Sequence, residues 1–150
     1  MFVLWLLGPT SSGKTKIAND LLVSLRNKKI PVIHYDGDEI RNLFGELISF
    51  SVKDRHRVVS TIVHLANKAS DAELNVIVSA LTSNQDTRTF VMETVNNLII
   101  AYVKCSIDEC IRRDPKGLGF RADRRLSAAR HQSLNAAFNR TSSADRSRHG

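Results

Sequence analysis

A glycine-rich stretch near the start of the chain has the residue types that bind phosphate groups. Gly8–Thr15 (GPTSSGKT) fits the pattern GxxxxGK[ST] without a mismatch. Glycines let such a loop fold around phosphates, and the N-terminus of a following helix adds positive potential. The predicted ATP-binding residues are Gly8, Pro9, Thr10, Ser11, Ser12, Gly13, Lys14 and Thr15. Lys14 is expected to contact the β- and γ-phosphates, and the Thr15 hydroxyl to ligate Mg²⁺.

Two carboxylates are expected to face this loop. The apolar stretch Pro31–Tyr35 ends at the acidic turn Asp36-Gly37-Asp38, and no other predicted strand ends in an acid. The carboxyl ends of parallel strands meet at the ligand crevice. We predict that Asp36 organises Mg²⁺ through water or acts as the base, and that Asp38 positions the acceptor. Lys14 then stabilises charge on the moving phosphoryl group. The alternative is an ordinary Asp-Gly turn.

The elements that position these residues alternate between strand and helix. Continuous apolar runs predict strands at Phe2–Leu7, Pro31–Tyr35, Asn75–Ala80 and Leu98–Val103. Helical patterns cover Lys14–Asn27, Glu39–Leu47, Arg55–Ala72 (capped by Asp54), Asp86–Asn97 and Asp108–Arg113. The order βαβααβαβα predicts the α/β class, as a three-layer P-loop NTPase fold. Its parallel sheet would have four to five strands, with helices on both faces.

Composition restricts the class of protein further. The chain has 150 residues, of which 42% are hydrophobic and 25% charged, as in one globular domain. Its longest apolar run, Met1–Leu7, is far below the roughly 20 residues that span a bilayer. We therefore expect a cytoplasmic location and no membrane partner. The spacing of Cys105 and Cys110 fits neither a zinc site nor a redox CxxC pair, which predicts buried, reduced thiols.

The net charge of +7 is concentrated at one end of the chain. Residues 1–110 hold 12 basic and 12 acidic residues, whereas residues 111–150 hold ten basic and three acidic ones. We predict a P-loop kinase domain at 1–120 and a basic C-terminal segment at 121–150. That segment would be helical over Ala122–Phe138 or disordered, as Thr141–Gly150 is expected to be. A solvated tail and a phosphate-binding role both remain open.

Beyond the phosphate loop, the chain resembles the adenylylsulfate (APS) kinase family. The resemblance runs from Gly8 to about Leu118. It is carried by Gly8–Thr15, Asp36-Gly37-Asp38 with Arg41, Phe50-Ser51 with Asp54-Arg55, and Arg113-Asp114-Pro115-Lys116-Gly117-Leu118. Members transfer the γ-phosphate of ATP, with Mg²⁺, to the 3′-hydroxyl of adenylylsulfate, which gives PAPS in sulfate assimilation. The resemblance implies this transferase activity here, with ATP and Mg²⁺ as cofactors and a nucleotide as acceptor.

The resemblance also implies an acceptor site and a lid. Arg41 and Arg55 would hold the phosphosulfate, and Phe50 would stack on its adenine. Arg113, counted with the ATP contacts, and Lys116, counted with the acceptor contacts, would belong to a mobile lid. Leu81 and Thr82, which stand in the Ile-Ser segment of the family, complete the predicted acceptor-binding set. From the residues alone, the two arginines and Lys116 also suit a solvated surface, and Phe50 also suits a core.

Several positions depart from the family pattern. Val58, Ser60 and Thr61 stand where the family has an Asn and an Arg-Arg pair that contact APS. Gln85 replaces an Arg, Gly119 replaces an aromatic residue, and the family's closing segments are not recognisable after it. Two alternatives follow: a P-loop kinase for another nucleotide, sugar or antibiotic hydroxyl, or a nucleotide- or nucleic-acid-binding protein without kinase activity. Nucleic acid is the less expected partner, and a homodimer stays open.

Overall fold

The computed structural model describes residues 1–114, in which four parallel strands form one sheet. The strands are β1 (Val3–Leu7), β2 (Val32–Asp36), β3 (Asn75–Ser79) and β4 (Leu98–Tyr102), in the spatial order β2-β3-β1-β4. The register pairs Trp5 of β1 with Val78 of β3, and Asp36 of β2 with Ser79 of β3. The carboxyl ends of these strands therefore lie side by side, which places the residues that follow them in one crevice.

Helices connect the strands and cover both faces of the sheet. They are α1 (Lys14–Asn27), α2 (Gly37–Leu43), α3 (Val52–Asp71), α4 (Gln85–Thr94) and α5 (Ile107–Arg112), with a 3₁₀ helix at Gly45–Leu47. Four of the five α-helices begin at a side chain that accepts a hydrogen bond from a backbone N–H of the first turn. These N-cap residues are Asp36, Ser51, Asn84 and Ser106.

The core has two parts, one on each face of the sheet. On one face, Val3, Trp5 and Val78 pack with buried residues of α3 and α4. On the other face, Leu6 and Ile77 pack with Ala18 of α1. Because neighbouring residues of a strand point to opposite faces, both faces of the central strands are apolar, as the continuous apolar runs predicted. The predicted α/β fold with helices on both faces is confirmed, with four strands in the described part of the chain.

Three helix boundaries differ from the predicted ones by more than two residues. Helix α3 begins at Val52 and not at Arg55, so the prediction that Asp54 is its N-cap was wrong. Ser51 caps it instead by accepting from Asp54 N at 3.1 Å, while the Asp54 carboxylate accepts from Ser49 N at 3.0 Å. The second bond of a capping box is not formed, because Ser51 N donates to Ser49 Oγ and not to the Asp54 carboxylate.

The other two differences follow from local backbone geometry. The predicted helix Glu39–Leu47 is split into α2 and the 3₁₀ helix, because Gly45 has a positive φ of 56°. Helix α4 ends at Thr94 and not at Asn97, because Val95 is already extended, with φ −90° and ψ 123°. The predicted domain boundary at 120, the helix at Ala122–Phe138 and the tail at Thr141–Gly150 lie outside the described residues. Within residues 1–114, no helix combines the length and apolar character needed to cross a membrane.

Candidate active site

The phosphate loop is tightly wound between β1 and α1. A side chain at Gly8 would place its Cβ 2.8 Å from both Ser12 Oγ and the carbonyl oxygen of Val103, so only glycine fits there. Gly13, the N-cap of α1, has a φ of 95°, a backbone angle that residues with a side chain rarely adopt. The hydroxyl of Ser12 is buried and has no hydrogen-bond partner among the described residues. An unpaired polar atom inside a glycine-bounded loop suits a polar ligand.

Lys14 points back into this loop. Its Nζ donates hydrogen bonds to the carbonyl oxygens of Gly8, at 3.0 Å, and Pro9, at 2.6 Å. Burial lowers the pKa of Lys14 to about 8, and the charge of Asp38 acts in the opposite direction. The ammonium group is therefore held within the loop, where the negative charge of a bound phosphate would raise its pKa again.

Asp36 connects the acidic turn to the phosphate loop. Its Oδ2 accepts from Thr15 Oγ1 and from Ser79 Oγ, both at 2.7 Å. Its Oδ1 accepts from the backbone N–H groups of Asp38, at 2.9 Å, and Glu39, at 3.3 Å. Partial burial alone would raise the pKa of the Asp36 carboxyl, but these four hydrogen bonds hold it below its ordinary value. Asp36 is therefore an ionised carboxylate with a defined orientation.

The rest of the acidic turn lies against the end of β3. A Cβ at Gly37 would lie 3.1 Å from Cα and Cβ of Ala80, so the turn packs closely on the neighbouring strand. Asp38 is exposed, and its charge acts on the ammonium of Lys14. The structure thus brings together Lys14, Thr15, Asp36 and Asp38, which the sequence placed in two separate motifs.

Three of the predicted acceptor residues lie in or beside the connection between α2 and α3. Arg41 donates from Nη1 to the carbonyl oxygen of Ser49 at 2.7 Å, and its guanidinium carbon lies 4.8 Å from the centre of the Phe50 ring. Phe50 is 73% exposed, so the alternative that it belongs to the core is wrong. Arg55, on the first turns of α3, is half-buried. An exposed aromatic ring with an arginine beside it is a surface that suits a nucleotide.

Leu81 and Thr82 follow β3 in a segment held from inside the protein. Thr82 is buried, and its Oγ1 accepts from Trp5 Nε1 at 3.2 Å. Arg88 of α4 is also buried and donates from Nη1 to the carbonyl oxygens of Thr82, at 3.1 Å, and Ser83, at 2.7 Å. Leu81 is half-buried beside them. The Thr82 hydroxyl thus forms a hydrogen bond within the core, while Arg88 holds the backbone carbonyls of this segment in place.

Arg113, the residue that follows α5, lies beside the phosphate loop. Its Nη1 lies 3.9 Å from the place that a Cβ on Gly13 would occupy. Glu109 forms ion pairs with both Arg112 and Arg113. Lys116, the other predicted lid residue, lies outside the described residues. Arg113 therefore joins the loop at the same edge of the sheet as Asp36.

Two polar residues of this site were missed by the sequence reasoning. Ser79 ends β3 beside Asp36, and His34 of β2 lies with Nε2 2.7 Å from Ser79 Oγ. Burial lowers the pKa of His34, against the charges of Asp36 and Glu39. Both are polar residues in otherwise apolar strands. His34 stands two positions before Asp36 on β2, and therefore on the same face of the sheet. That was the available signal.

The two cysteines form no disulfide. Cys105 and Cys110 are free and buried. Burial and a hydrogen bond with Cys105 raise the pKa of Cys110 to about 12, so its thiol stays protonated. Among residues 1–114, no three His, Cys, Asp or Glu side chains cluster as a ready-made metal site.

Comparison with known proteins agrees with this geometry. Residues 1–140 match the adenylylsulphate kinase family. The chain belongs to the adenylylsulphate kinase family. An adenylyl-sulfate kinase from Oceanobacillus iheyensis is 34% identical over 118 residues, which are 77% of this chain and 59% of that protein. A probable adenylyl-sulfate kinase from Archaeoglobus fulgidus is 30% identical over 117 residues, which are 78% of this chain and 76% of that protein.

A solved structure shows the same architecture. The chain is similar to the APS kinase of Mycobacterium tuberculosis in complex with AMPPNP and APS, with a TM-score of 0.73 and 26% identity. The similarity covers 78% of this chain and 70% of that one. Measured against the Oceanobacillus relative, the chain spans less than two thirds of the relative's length. The family is thus established, and the activity of this chain is a separate question.

Proposed function

We propose that this chain transfers the γ-phosphoryl group of ATP to the 3′-hydroxyl of adenylylsulfate and so forms PAPS. The observation that carries the proposal is the 2.7 Å hydrogen bond between Thr15 Oγ1 and Asp36 Oδ2. It joins the phosphate-binding loop to the carboxylate that ends β2. Membership of the adenylylsulphate kinase family supports the same reaction and acceptor.

The residues at this junction fit a magnesium ion. Thr15 Oγ1 and Asp36 Oδ2 are hard oxygen donors, which Mg²⁺ prefers, and the Thr15 side is exposed. In the proposed arrangement Thr15 is a ligand and Asp36 binds the ion through water. When bound, Mg²⁺ neutralises charge on the phosphates during transfer.

The phosphate loop would bind ATP by exchanging internal hydrogen bonds for bonds to phosphate. Lys14 now donates to two loop carbonyls, and phosphate oxygens are stronger acceptors for an ammonium group. The same contact would return its pKa towards the ordinary range. Ser12 Oγ offers an additional donor, and Arg113 adds positive charge beside Gly13. These residues therefore act on the transferring group mainly by position and charge.

The acceptor would enter from the side of the acidic turn. In the alternative role of Asp36 as the base, its carboxylate would accept the proton of the attacking hydroxyl, while Asp38 would orient that hydroxyl. Arg41 and Arg55 would bind the phosphosulfate, with Phe50 against the adenine. Leu81 would border the acceptor, with Thr82 buried behind it, and Lys116 would close over it.

The test is a direct assay of the purified full chain. The chain is incubated with ATP, Mg²⁺ and adenylylsulfate, and the products are identified by mass. We expect PAPS and ADP in equal amounts, and no PAPS from a Lys14→Ala preparation made in parallel, which excludes a contaminating kinase. The absence of PAPS from folded wild-type chain at every acceptor concentration would refute the proposal.

A second candidate keeps the reaction and changes the acceptor. Val58 is buried, and the hydroxyls of Ser60 and Thr61 donate to the carbonyl oxygens of His56 and Arg57 in their own helix, at 2.8 and 3.0 Å. None of these three side chains offers the amide or guanidinium that the family pattern has there. A panel of nucleotide and sugar hydroxyls, each competing with adenylylsulfate for limiting enzyme, separates the two candidates. The acceptor with the highest kcat/KM is the substrate.

Three further statements belong to the same proposal. The chain is proposed to be cytoplasmic, and cell fractionation tests this location. A homodimer is tested by light scattering of the full chain. ATP binding without product formation on any acceptor would instead favour a nucleotide-binding protein without kinase activity. Steep salt dependence of binding to RNA or DNA would point to the basic residues 111–150 as a nucleic-acid surface.

A further inference from the structure

A histidine lies behind the Asp36 carboxylate, one step removed from it. His34 Nε2 is 2.7 Å from Ser79 Oγ, and Ser79 Oγ is 2.7 Å from Asp36 Oδ2. In the β2–β3 register, Asp36 pairs with Ser79, and His34 pairs with Ile77, which packs in the cluster that contains Ala18 of α1. His34, Asp36 and Ser79 therefore lie on the face of the sheet that α1 covers.

His34, Ser79 and Asp36 form a row of hydrogen-bonded side chains. The direction of each hydrogen bond in this row follows from counting the available protons. The Asp36 carboxylate only accepts, so the single hydroxyl proton of Ser79 is directed to Asp36 Oδ2. Ser79 Oγ is then left as an acceptor toward His34, which requires a proton on His34 Nε2. Both the neutral Nε2–H imidazole and the imidazolium satisfy this requirement. The row therefore runs from His34 through Ser79 to Asp36.

We infer that His34 is a positioning residue for Asp36 and acts by orienting the Ser79 hydroxyl. Asp36 Oδ2 has two side-chain donors, Thr15 and Ser79. In the proposed function Thr15 turns to the metal and nucleotide, which leaves Ser79 as the side-chain donor that keeps Oδ2 in place. The effect on turnover thus rests on the proposed function, whereas the hydrogen-bond row itself does not.

The kinetic test uses a double-mutant cycle in the full chain. His34→Phe keeps a ring and removes both nitrogens. We expect it to lower kcat about threefold to tenfold, as loss of one neutral hydrogen bond predicts, with KM for ATP within about twofold. Because His34 acts through Ser79, the double variant with Ser79→Ala should be no slower than Ser79→Ala alone. His34→Gln, which restores an N–H donor, should recover part of the loss.

The kinetic test has one control variant and two outcomes that would contradict the inference. Tyr35→Phe alters the neighbouring residue of β2, which packs against the other face of the sheet, and should keep kcat within about twofold. An unchanged kcat in His34→Phe overturns the inference. So does a double variant that is slower than Ser79→Ala by the full His34→Phe factor, because the two residues would then act independently.

A spectroscopic test needs neither ATP nor an acceptor. ¹⁵N chemical shifts of the imidazole in the wild-type full chain, assigned by comparison with His34→Gln, report which nitrogen carries the proton. We expect the proton on Nε2, and a proton on Nδ1 alone would reverse the row and overturn the inference. If the wild type makes no PAPS, the proposed function fails while this measurement still decides the hydrogen-bond row.

Discussion

Asp36→Asn separates the chemical role of this side chain from its structural role. The substitution keeps the shape and removes the charge. Asparagine is as good a helix N-cap as aspartate, so its carbonyl oxygen can accept from the N–H groups of Asp38 and Glu39. Its amide nitrogen then faces Thr15 and Ser79, whose hydroxyls can rotate to accept.

We therefore expect Asp36→Asn to lose little stability and much of its turnover. The free energy of unfolding should fall by about 1 kcal/mol, because hydrogen bonds to an anion become bonds to a neutral amide. The value of kcat should fall by about 10²–10⁴-fold, as expected when a general base is removed. KM for ATP should change by less than about threefold, because Asp36 reaches the phosphate loop through the Thr15 hydroxyl alone among the contacts described.

The assay pairs initial rates with urea unfolding on the same preparation. Asp36→Ala is the comparison variant, since it removes the charge and the helix cap together and should be less stable than Asp36→Asn by about 1 kcal/mol. An Asp36→Asn protein with the kcat of the wild type would refute the chemical assignment. A loss confined to KM for ATP would assign Asp36 to nucleotide binding instead.

The same variant predicts a difference in acid stability. The folded pKa of Asp36 lies below its ordinary value of 3.8, so its stabilising contribution is present above pH 3.8. That contribution is lost as the pH falls from 3.8 through the folded pKa. The difference in unfolding free energy between wild type and Asp36→Asn should therefore shrink across this window, as measured by urea unfolding at successive pH values. A constant difference would show that Asp36 is not stabilised as an anion.

Three other predictions concern single residues of the site. Lys14→Ala should abolish phosphoryl transfer with little change in the thermal unfolding temperature. In the wild type, kcat/KM for ATP should fall as the pH rises above about 8, because Lys14 then loses its proton. Phe50→Ala should raise KM for adenylylsulfate about tenfold, since base stacking is lost, without lowering stability. Leu47→Ala, at a residue that is also largely exposed, is the control and should change neither KM nor stability. Ser51→Ala should reduce the free energy of unfolding by about 1 kcal/mol through loss of the α3 cap, measured by urea unfolding, and an unchanged midpoint would contradict the capping geometry.

Local patterns predicted most of the elements to within one or two residues. Helix α1 was predicted from Lys14 to Asn27 and has these bounds. The strands agree because each is a short continuous apolar run, and such runs suit a sheet that is covered on both faces. The start of α3 was misplaced because two good N-cap residues, Ser51 and Asp54, stand three positions apart. Reciprocal hydrogen bonding between them decided for the first.

The character of exposed side chains was harder to predict. Phe50 suited a core as well as a binding surface, because an isolated aromatic residue in a connection carries no periodicity. Its exposure depends on how α2 and α3 meet, and this is a property of packing. Thr82 illustrates the reverse case, since a polar residue after a strand is buried and bonded to Trp5, 77 positions away.

Thus the sequence by itself determined the phosphate loop, the acidic turn, the alternation of strands and helices, and the family. These features depend on residue types at short spacing, which local sterics and hydrogen bonding govern. Only the tertiary structure decided that Asp36 meets Thr15 and Ser79, and that His34 lies behind them. Ser79 and Asp36 are 43 positions apart, and their contact depends on the β2–β3 register. That register is set by side chains packing on both faces of the sheet, which no single segment encodes.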